Sequence, residues 1–158
     1  MSDPTPTPPA LSLRDYLPYR LAVTSNQVSR LIARAYQDRF GLTIWEWRVI
    51  ALLGEAEPMT AQALSDIAAM DKVSVSRAVK TLVERGLVVQ AERESDRRSR
   101  DLHLTEAGRR TYREITPVAL DAEADLLTGL DDAEIAKLAQ MLDVLRQRAA
   151  ELLADGNG

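Results

Sequence analysis

Residues 72–89 read KVSVSRAVKTLVERGLVV, and within them Val75, Ala78, Val79, Leu82 and Val83 recur at i, i+3, i+4, i+7 and i+8. That spacing is one apolar face of a helix. Gly86 supplies the stop, because glycine accepts the left-handed conformation that ends many helices. Ser74, Ser76, Arg77, Lys80 and Thr81 lie off the apolar face. Upstream, Thr60 opens a short helix with Leu64, Ile67 and Ala68 inward, and Ala69-Met70-Asp71 makes a short turn. Two helices across such a turn have the outline of a helix-turn-helix. Downstream, residues 87–92 and 101–104 read as strands flanking a charged hairpin loop at residues 93–100. Strand, charged loop and strand behind a helix-turn-helix make a wing.

The flanks are helical. A first helix starts near Pro18, where proline suits the first turn, and runs to about Arg39 before Phe40-Gly41 stops it. Leu21, Val28, Leu31, Ile32, Ala35 and Tyr36 form its apolar stripe. Thr43 and Glu46 have the spacing of a capping box, opening a helix that buries Trp47, Ile50 and Leu53 or near neighbours, with Gly54 and Pro58 bounding the next turn. After Thr105 a helix covers about residues 106–127, bent at Pro117, and Gly129 breaks it. Asp131 and Glu134 then cap a last helix in which Ile135, Leu138, Leu142, Leu145, Ala149 and Leu152 form a seam alternating by three and four. That seam suits either a dimer interface or packing within the chain. The fold class is mainly α (α+β), a winged helix-turn-helix lobe with N- and C-terminal helices as a dimerisation layer.

Composition excludes several chemistries. Among 158 residues there is no cysteine and one histidine, so a disulfide, a thiol nucleophile, a Cys-ligated metal and a His-rich metal site are all out. No glycine-rich phosphate loop occurs; Gly86 and Gly108 read as a helix stop and a turn. His103 sits between Leu102 and Leu104 and points away from the core, with no serine–histidine–acid pattern around it. No enzyme and no cofactor is expected. The first ten residues, MSDPTPTPPA, hold four prolines and no basic or apolar signal region. The longest apolar run, VIALL at residues 49–53, is far short of the ~20 residues that span a bilayer. A cytoplasmic protein without membrane contact is expected.

The net charge of −4 argues against a nucleic-acid partner until it is divided along the chain. Residues 1–71 carry 6 basic and 8 acidic side chains, residues 72–113 carry 11 and 6, and residues 114–158 carry 3 and 10. The basic centre is an electrostatic footprint for a polyanion. Asp96-Arg97-Arg98-Ser99-Arg100 places three guanidiniums at the hairpin tip. Such a tip can enter the minor groove, where narrow A-tracts favour arginine, and Asp96 can hold one arginine extended. Lys72, Ser74, Ser76, Arg77 and Lys80 give the second helix the short hydroxyls and cations that a major groove requires. The competing readings are a solvated hairpin, an ordinary exposed helix face, and a winged-helix protein-interaction module that never touches DNA.

Residues 75–88 (VSRAVKTLVERGLV), Asp96-Arg97-Arg98 and Leu102-His103-Leu104-Thr105-Glu106-Ala107-Gly108, with Trp47-Arg48-Val49-Ile50 ahead of them, resemble the MarR (multiple antibiotic resistance regulator) family. The resemblance covers about residues 18–153. It implies a homodimeric repressor or activator of transcription that binds a pseudo-palindromic site on double-stranded DNA. By that resemblance Ser74, Ser76, Arg77 and Lys80 meet the major groove, Arg98 supported by Asp96 meets the minor groove, and Thr60 meets phosphate.

Family members commonly release DNA when a small, often aromatic and acidic, ligand wedges between the dimer layer and the DNA-binding lobe. The missing cysteines exclude the thiol-based sensing of some members, and a single histidine argues against zinc sensing. An aromatic carboxylate needs a cation, aromatic walls and a hydrogen-bond partner. Candidates where the first helix meets the Trp45–Arg48 segment are Tyr16, Arg20, Asn26, Trp45 and Arg48; packing or structural ion pairs are the alternative for each. Tyr19-Arg20-Leu21 and Ile44-Trp45-Glu46-Trp47 are similar to members controlling aromatic-acid catabolism, some of which respond to coenzyme A thioesters. The expected organisation is a disordered Pro-rich arm (1–12), an N-terminal dimerisation helix (13–42), the winged helix-turn-helix lobe (43–104) and C-terminal dimerisation helices (105–158).

Overall fold

The computed structural model describes residues 11–68, 70–92 and 99–156. The elements in order are α1 (Leu17–Phe40), α2 (Ile44–Glu55), α3 (Ala61–Ile67), α4 (Lys72–Glu84), β1 (Val88–Glu92), β2 (Arg100–Leu104), α5 (Glu106–Leu126) and α6 (Asp132–Asp155). Two compact units divide at Leu120/Asp121, inside α5.

The first unit holds the core. Tyr36 of α1, Val49, Ile50 and Leu53 of α2, Leu64 of α3, Val75, Ala78, Val79 and Leu82 of α4, Leu102 and Leu104 of β2 and Ile115 of α5 are all buried together. Local chemistry sets the helix ends. Thr43 and Glu46 form both bonds of a capping box, Thr60 accepts from the Ala63 N–H, and Asp71 accepts from the Ser74 N–H. At the end of α4 the Leu87 N–H reaches the Leu82 carbonyl and the Gly86 N–H reaches Val83. This Schellman closure turns the chain through Gly86 at φ 68°. β1 and β2 pair antiparallel, Val88 opposite Leu104 and Glu92 opposite Arg100. Met59 adds a bridge to Leu102, a third contribution to the wing base.

Several expectations need correction. Ile67 and Val83 are not inward; they are 59% and 37% exposed. The short α3 covers the core with Leu64 and Ala68, one turn apart, while Val83 lies at the rim of the face centred on Leu82. Gly54 does not bound a turn. It lies inside α2, where an added Cβ would stand 2.6 Å from the Tyr112 ring of α5. Gly108 is likewise no turn but the first turn of α5, where a Cβ would lie 2.1 Å from the Leu87 carbonyl oxygen. Helix and chain cross there with no room for a side chain.

The second unit comprises the end of α5 and α6, joined through Gly129 at φ 95°. Asp131 and Glu134 complete a capping box, and α6 has no buried residue. Its seam residues Leu138, Leu142, Leu145 and Leu152 are all exposed.

Candidate nucleic-acid interface

At 100° per residue, Val75, Ala78, Val79 and Leu82 point one way from α4 and Val73, Ser76, Arg77 and Lys80 the other. The first set is buried and the second is exposed. Lys72 is exposed beside them. Arg77 makes no ion pair among the described residues, and Lys80 has only Glu84 at 3.9 Å on an open surface, a pair of little energetic weight. Both cations remain available to a polyanion. Ser74 differs: its hydroxyl donates to Asp71 Oδ2 at 2.7 Å while its N–H donates to Oδ1 at 2.8 Å. These bonds, the side-chain one first, hold the Asp71 carboxyl below the usual carboxylate range. Ser74 therefore braces the helix start, and its proton is already committed. The Thr60 hydroxyl accepts at 3.1 Å from the Ala63 N–H, which leaves its own proton for an external acceptor.

The wing is fixed at its base. Glu57 accepts from the Leu104 N–H at 2.9 Å, pairs with Arg109 and lies 3.9 Å from His103 Nδ1. Thr105 donates to the Gly86 carbonyl at 2.7 Å and accepts from the Gly108 N–H at 3.1 Å. The wing's return strand is thereby tied to the end of α4. Arg100 is exposed at the end of β2 opposite Glu92. Asp96, Arg97 and Arg98 lie outside the described residues. Sequence reasoning missed Glu57, whose partners sit 46 to 52 positions away and leave no local pattern.

A second feature lies between α1 and the start of α2, a cleft of about 750 Å³. Asn26, Trp45 and Arg48 line it, but Tyr16 and Arg20 do not. Tyr16 is the exposed residue ahead of α1, and Arg20 is exposed one turn in. Ser25, Ser29, Arg30 and Gln37 also line the cleft and were not singled out from sequence. Their spacing along one side of α1 was the available signal. The Arg48 guanidinium lies 5.2 Å from the Trp45 ring centroid and donates to the Ala68 carbonyl at 3.3 Å. One side chain thus joins the cleft wall to the end of α3. Behind it, Tyr36 packs on Trp47 at 5.6 Å, and Trp47 stacks on Tyr112 at 6.2 Å. Burial pushes the Tyr36 hydroxyl up to about 12, against a smaller opposing pull from the Arg48 charge. That hydroxyl has no hydrogen-bond partner among the described residues. No group of three potential metal-ligating side chains occurs among those residues either.

Residues 40–99, from the end of α1 to the wing, match the MarR family. The uncharacterized HTH-type transcriptional regulator YwoH of Bacillus subtilis is 31% identical over 112 residues, spanning 69% of this chain and 81% of YwoH. The chain belongs to the MarR family. This MarR protein is therefore a DNA-binding transcriptional regulator and not an enzyme. A MarR/EmrR-family regulator from Acinetobacter sp. ADP1 superposes with a TM-score of 0.82 at 29% identity, over 89% of this chain and 99% of that one. CouR from Rhodococcus jostii RHA1, solved with p-coumaroyl-CoA, shares the fold at 22% identity and a TM-score of 0.74, over 86% of this chain and 95% of CouR. BpsR from Bordetella bronchiseptica, whose DNA binding is regulated by 6-hydroxynicotinic acid, shares it at 20% and 0.79, over 87% and 98%. No described helix of this MarR protein is long and apolar enough to cross a membrane.

Proposed function

We propose that the protein is a cytoplasmic, homodimeric repressor that binds a pseudo-palindromic operator and is released by an aromatic acid or its coenzyme A thioester. The observation that carries the DNA-binding part is the outward stripe of α4, where Ser76, Arg77 and Lys80 stand exposed opposite the buried face. Short hydroxyls allow close approach to base edges, and the cations supply phosphate or guanine contacts. Thr60 and Lys72 are assigned to phosphate. Arg100 and, from the sequence, Arg97 and Arg98 with Asp96 are assigned to the minor groove.

The dimer is supported by apolar surface that a lone chain leaves in water. Leu17, Leu21 and Leu31 on α1, and Leu138, Leu142, Leu145 and Leu152 on α6, are each at least 37% exposed. A two-fold pair of such layers would set two α4 helices one DNA turn, about 34 Å, apart. For the effector, the cleft offers a guanidinium, an indole and the Asn26 amide. These suit a carboxylate on an aromatic body; the 6-hydroxynicotinic acid of BpsR is such an acid, and the p-coumaroyl-CoA of CouR is the coenzyme A thioester of one. Tyr16 and Arg20, which do not line the cleft, are proposed as ligand contacts only through their place at the start of α1.

A salt titration against duplexes selected from a random pool tests the reading. Arg77→Ala and Arg98→Ala should each weaken binding and lower the slope of log affinity against log salt by about one unit. Salt-independent retention, or none, rejects DNA binding through these faces. A thermal-shift screen with benzoate, p-coumarate and p-coumaroyl-CoA tests the effector, and a hit must also release the duplex.

A further inference from the structure

Val73 sits where a solvated helix would carry a polar residue. It precedes Ser76, Arg77 and Lys80 by three, four and seven positions, so it shares their stripe. It is 59% exposed, on the side opposite the core residues Val75, Val79 and Leu82. A β-branched apolar side chain there weakens the helix slightly and leaves two methyl groups in water, so neither local propensity nor the core accounts for it. Its neighbour Ser74 has its proton committed to Asp71. The first turn of α4 therefore presents Val73 as its outward group, beside the Lys72 ammonium.

We propose that Val73 reads the C5-methyl group of a thymine in the major groove. The inference rests on the reading of α4 as the groove-facing helix. Among base-pair edges in that groove the thymine methyl is the apolar feature, and apolar side chains recognise it by contact. Residues near the N-terminus of a recognition helix are those that reach base edges. The charge near Val73 fits the same occupant, since Lys72 precedes it and Arg77 and Lys80 follow along its stripe as cations for phosphate, while the Asp71 carboxylate is engaged by Ser74. A protein partner would need a larger apolar anchor than one valine among three cations. Excluding water from two facing methyl surfaces favours a T·A pair at one position in each half-site, without any hydrogen bond.

The test replaces thymine by uracil, which differs only in lacking the methyl. A duplex is first selected from a random pool with the full-length protein. Each thymine is then changed singly to deoxyuridine, and affinity is measured by fluorescence anisotropy at fixed salt. One position per half-site should lose about fourfold in affinity, the equivalent of ~0.8 kcal/mol for one buried methyl-sized group. Val73→Ala should bind the thymine duplex several-fold more weakly and no longer distinguish thymine from uracil there. Val73→Thr keeps one methyl group and should retain part of the discrimination. A uracil penalty of equal size in Val73→Ala overturns the assignment, as does the absence of any penalty in the native protein. Failure of the native protein to retain any duplex overturns the groove reading of α4 and this assignment with it. Loss of binding to a protein partner by Val73→Ala, with DNA affinity unchanged, overturns it in favour of a protein contact.

Discussion

Arg85 donates to the carbonyl of Gly41 at 3.0 Å, across 44 positions of sequence, and its second terminal nitrogen donates to Phe40 at 2.9 Å. The two acceptors are carbonyls at the end of α1, which have no intrahelical partner. A cation at that end is further favoured by the helix dipole. Glu46 stands 3.9 Å away on α2, so the end of α4 is locked to the corner between α1 and α2. Arg85→Ala should cost about 1–2 kcal/mol in urea unfolding, a modest value because the side chain is partly exposed. Arg85→Lys should recover less than half of it, since an ammonium cannot fork across two carbonyls. Equal stability of all three proteins would show that the bridge holds nothing.

Gly108 tests the crossing of α5 over the chain that leaves α4. The nearest atom to an added Cβ is a backbone carbonyl oxygen at 2.1 Å, which cannot rotate away. Gly108→Ala should destabilise by about 3 kcal/mol or more despite alanine's better helix propensity. A thermal melt decides it, because an unchanged midpoint would mean the two backbones are not in contact.

Tyr36 makes a pH-dependent prediction. An unfolded tyrosine ionises near pH 10, while the buried one keeps its proton to about 12. Between those values the folded state binds more protons than the unfolded, so stability falls as pH rises. The loss approaches about 3 kcal/mol for a two-unit difference. Tyr36→Phe should flatten this stretch of the pH profile. Near neutrality it should be neutral or stabilising by about 1 kcal/mol, because the hydroxyl it deletes is buried without a partner among the described residues. A clear loss of stability at pH 7 would reveal a partner for that hydroxyl.

Asp71 carries the opposite dependence. Its lowered carboxyl is ionised in the folded protein at pH values where an unfolded aspartate has taken up a proton. Its contribution is therefore full above the normal carboxylate range and disappears as pH falls through the lowered value. Asp71→Ser should keep the cap of α4 and abolish this acid-side dependence, as followed by helix signal against pH. A profile identical to that of the native protein would assign the acid sensitivity to another carboxyl.

Periodicity and capping made most of the fold legible. Val75, Ala78, Val79 and Leu82 fall on one side of a helix whatever surrounds them, and Thr43 with Glu46, or Asp131 with Glu134, can cap only the residues next to them. These signals are local, and the structure keeps every one. The candidate interface was legible for the same reason, since Ser76, Arg77 and Lys80 are exposed by the spacing that buries their neighbours. The sequence also separated a basic centre from acidic flanks, and by lacking cysteine excluded thiol sensing.

What it could not supply was anything decided by a residue far along the chain. Gly108 reads as a turn from its own segment, whereas the Leu87 carbonyl that leaves no room for a Cβ there belongs to another. Val73 carries no signal in the sequence, since only its exposure separates it from the core valines beside it. Glu57, Arg48 and Arg85 each act on groups 20 or more positions away. Short-range order follows from covalent geometry and side-chain chemistry written along the chain. Long-range partners are chosen by burial, which exists only once the elements have packed.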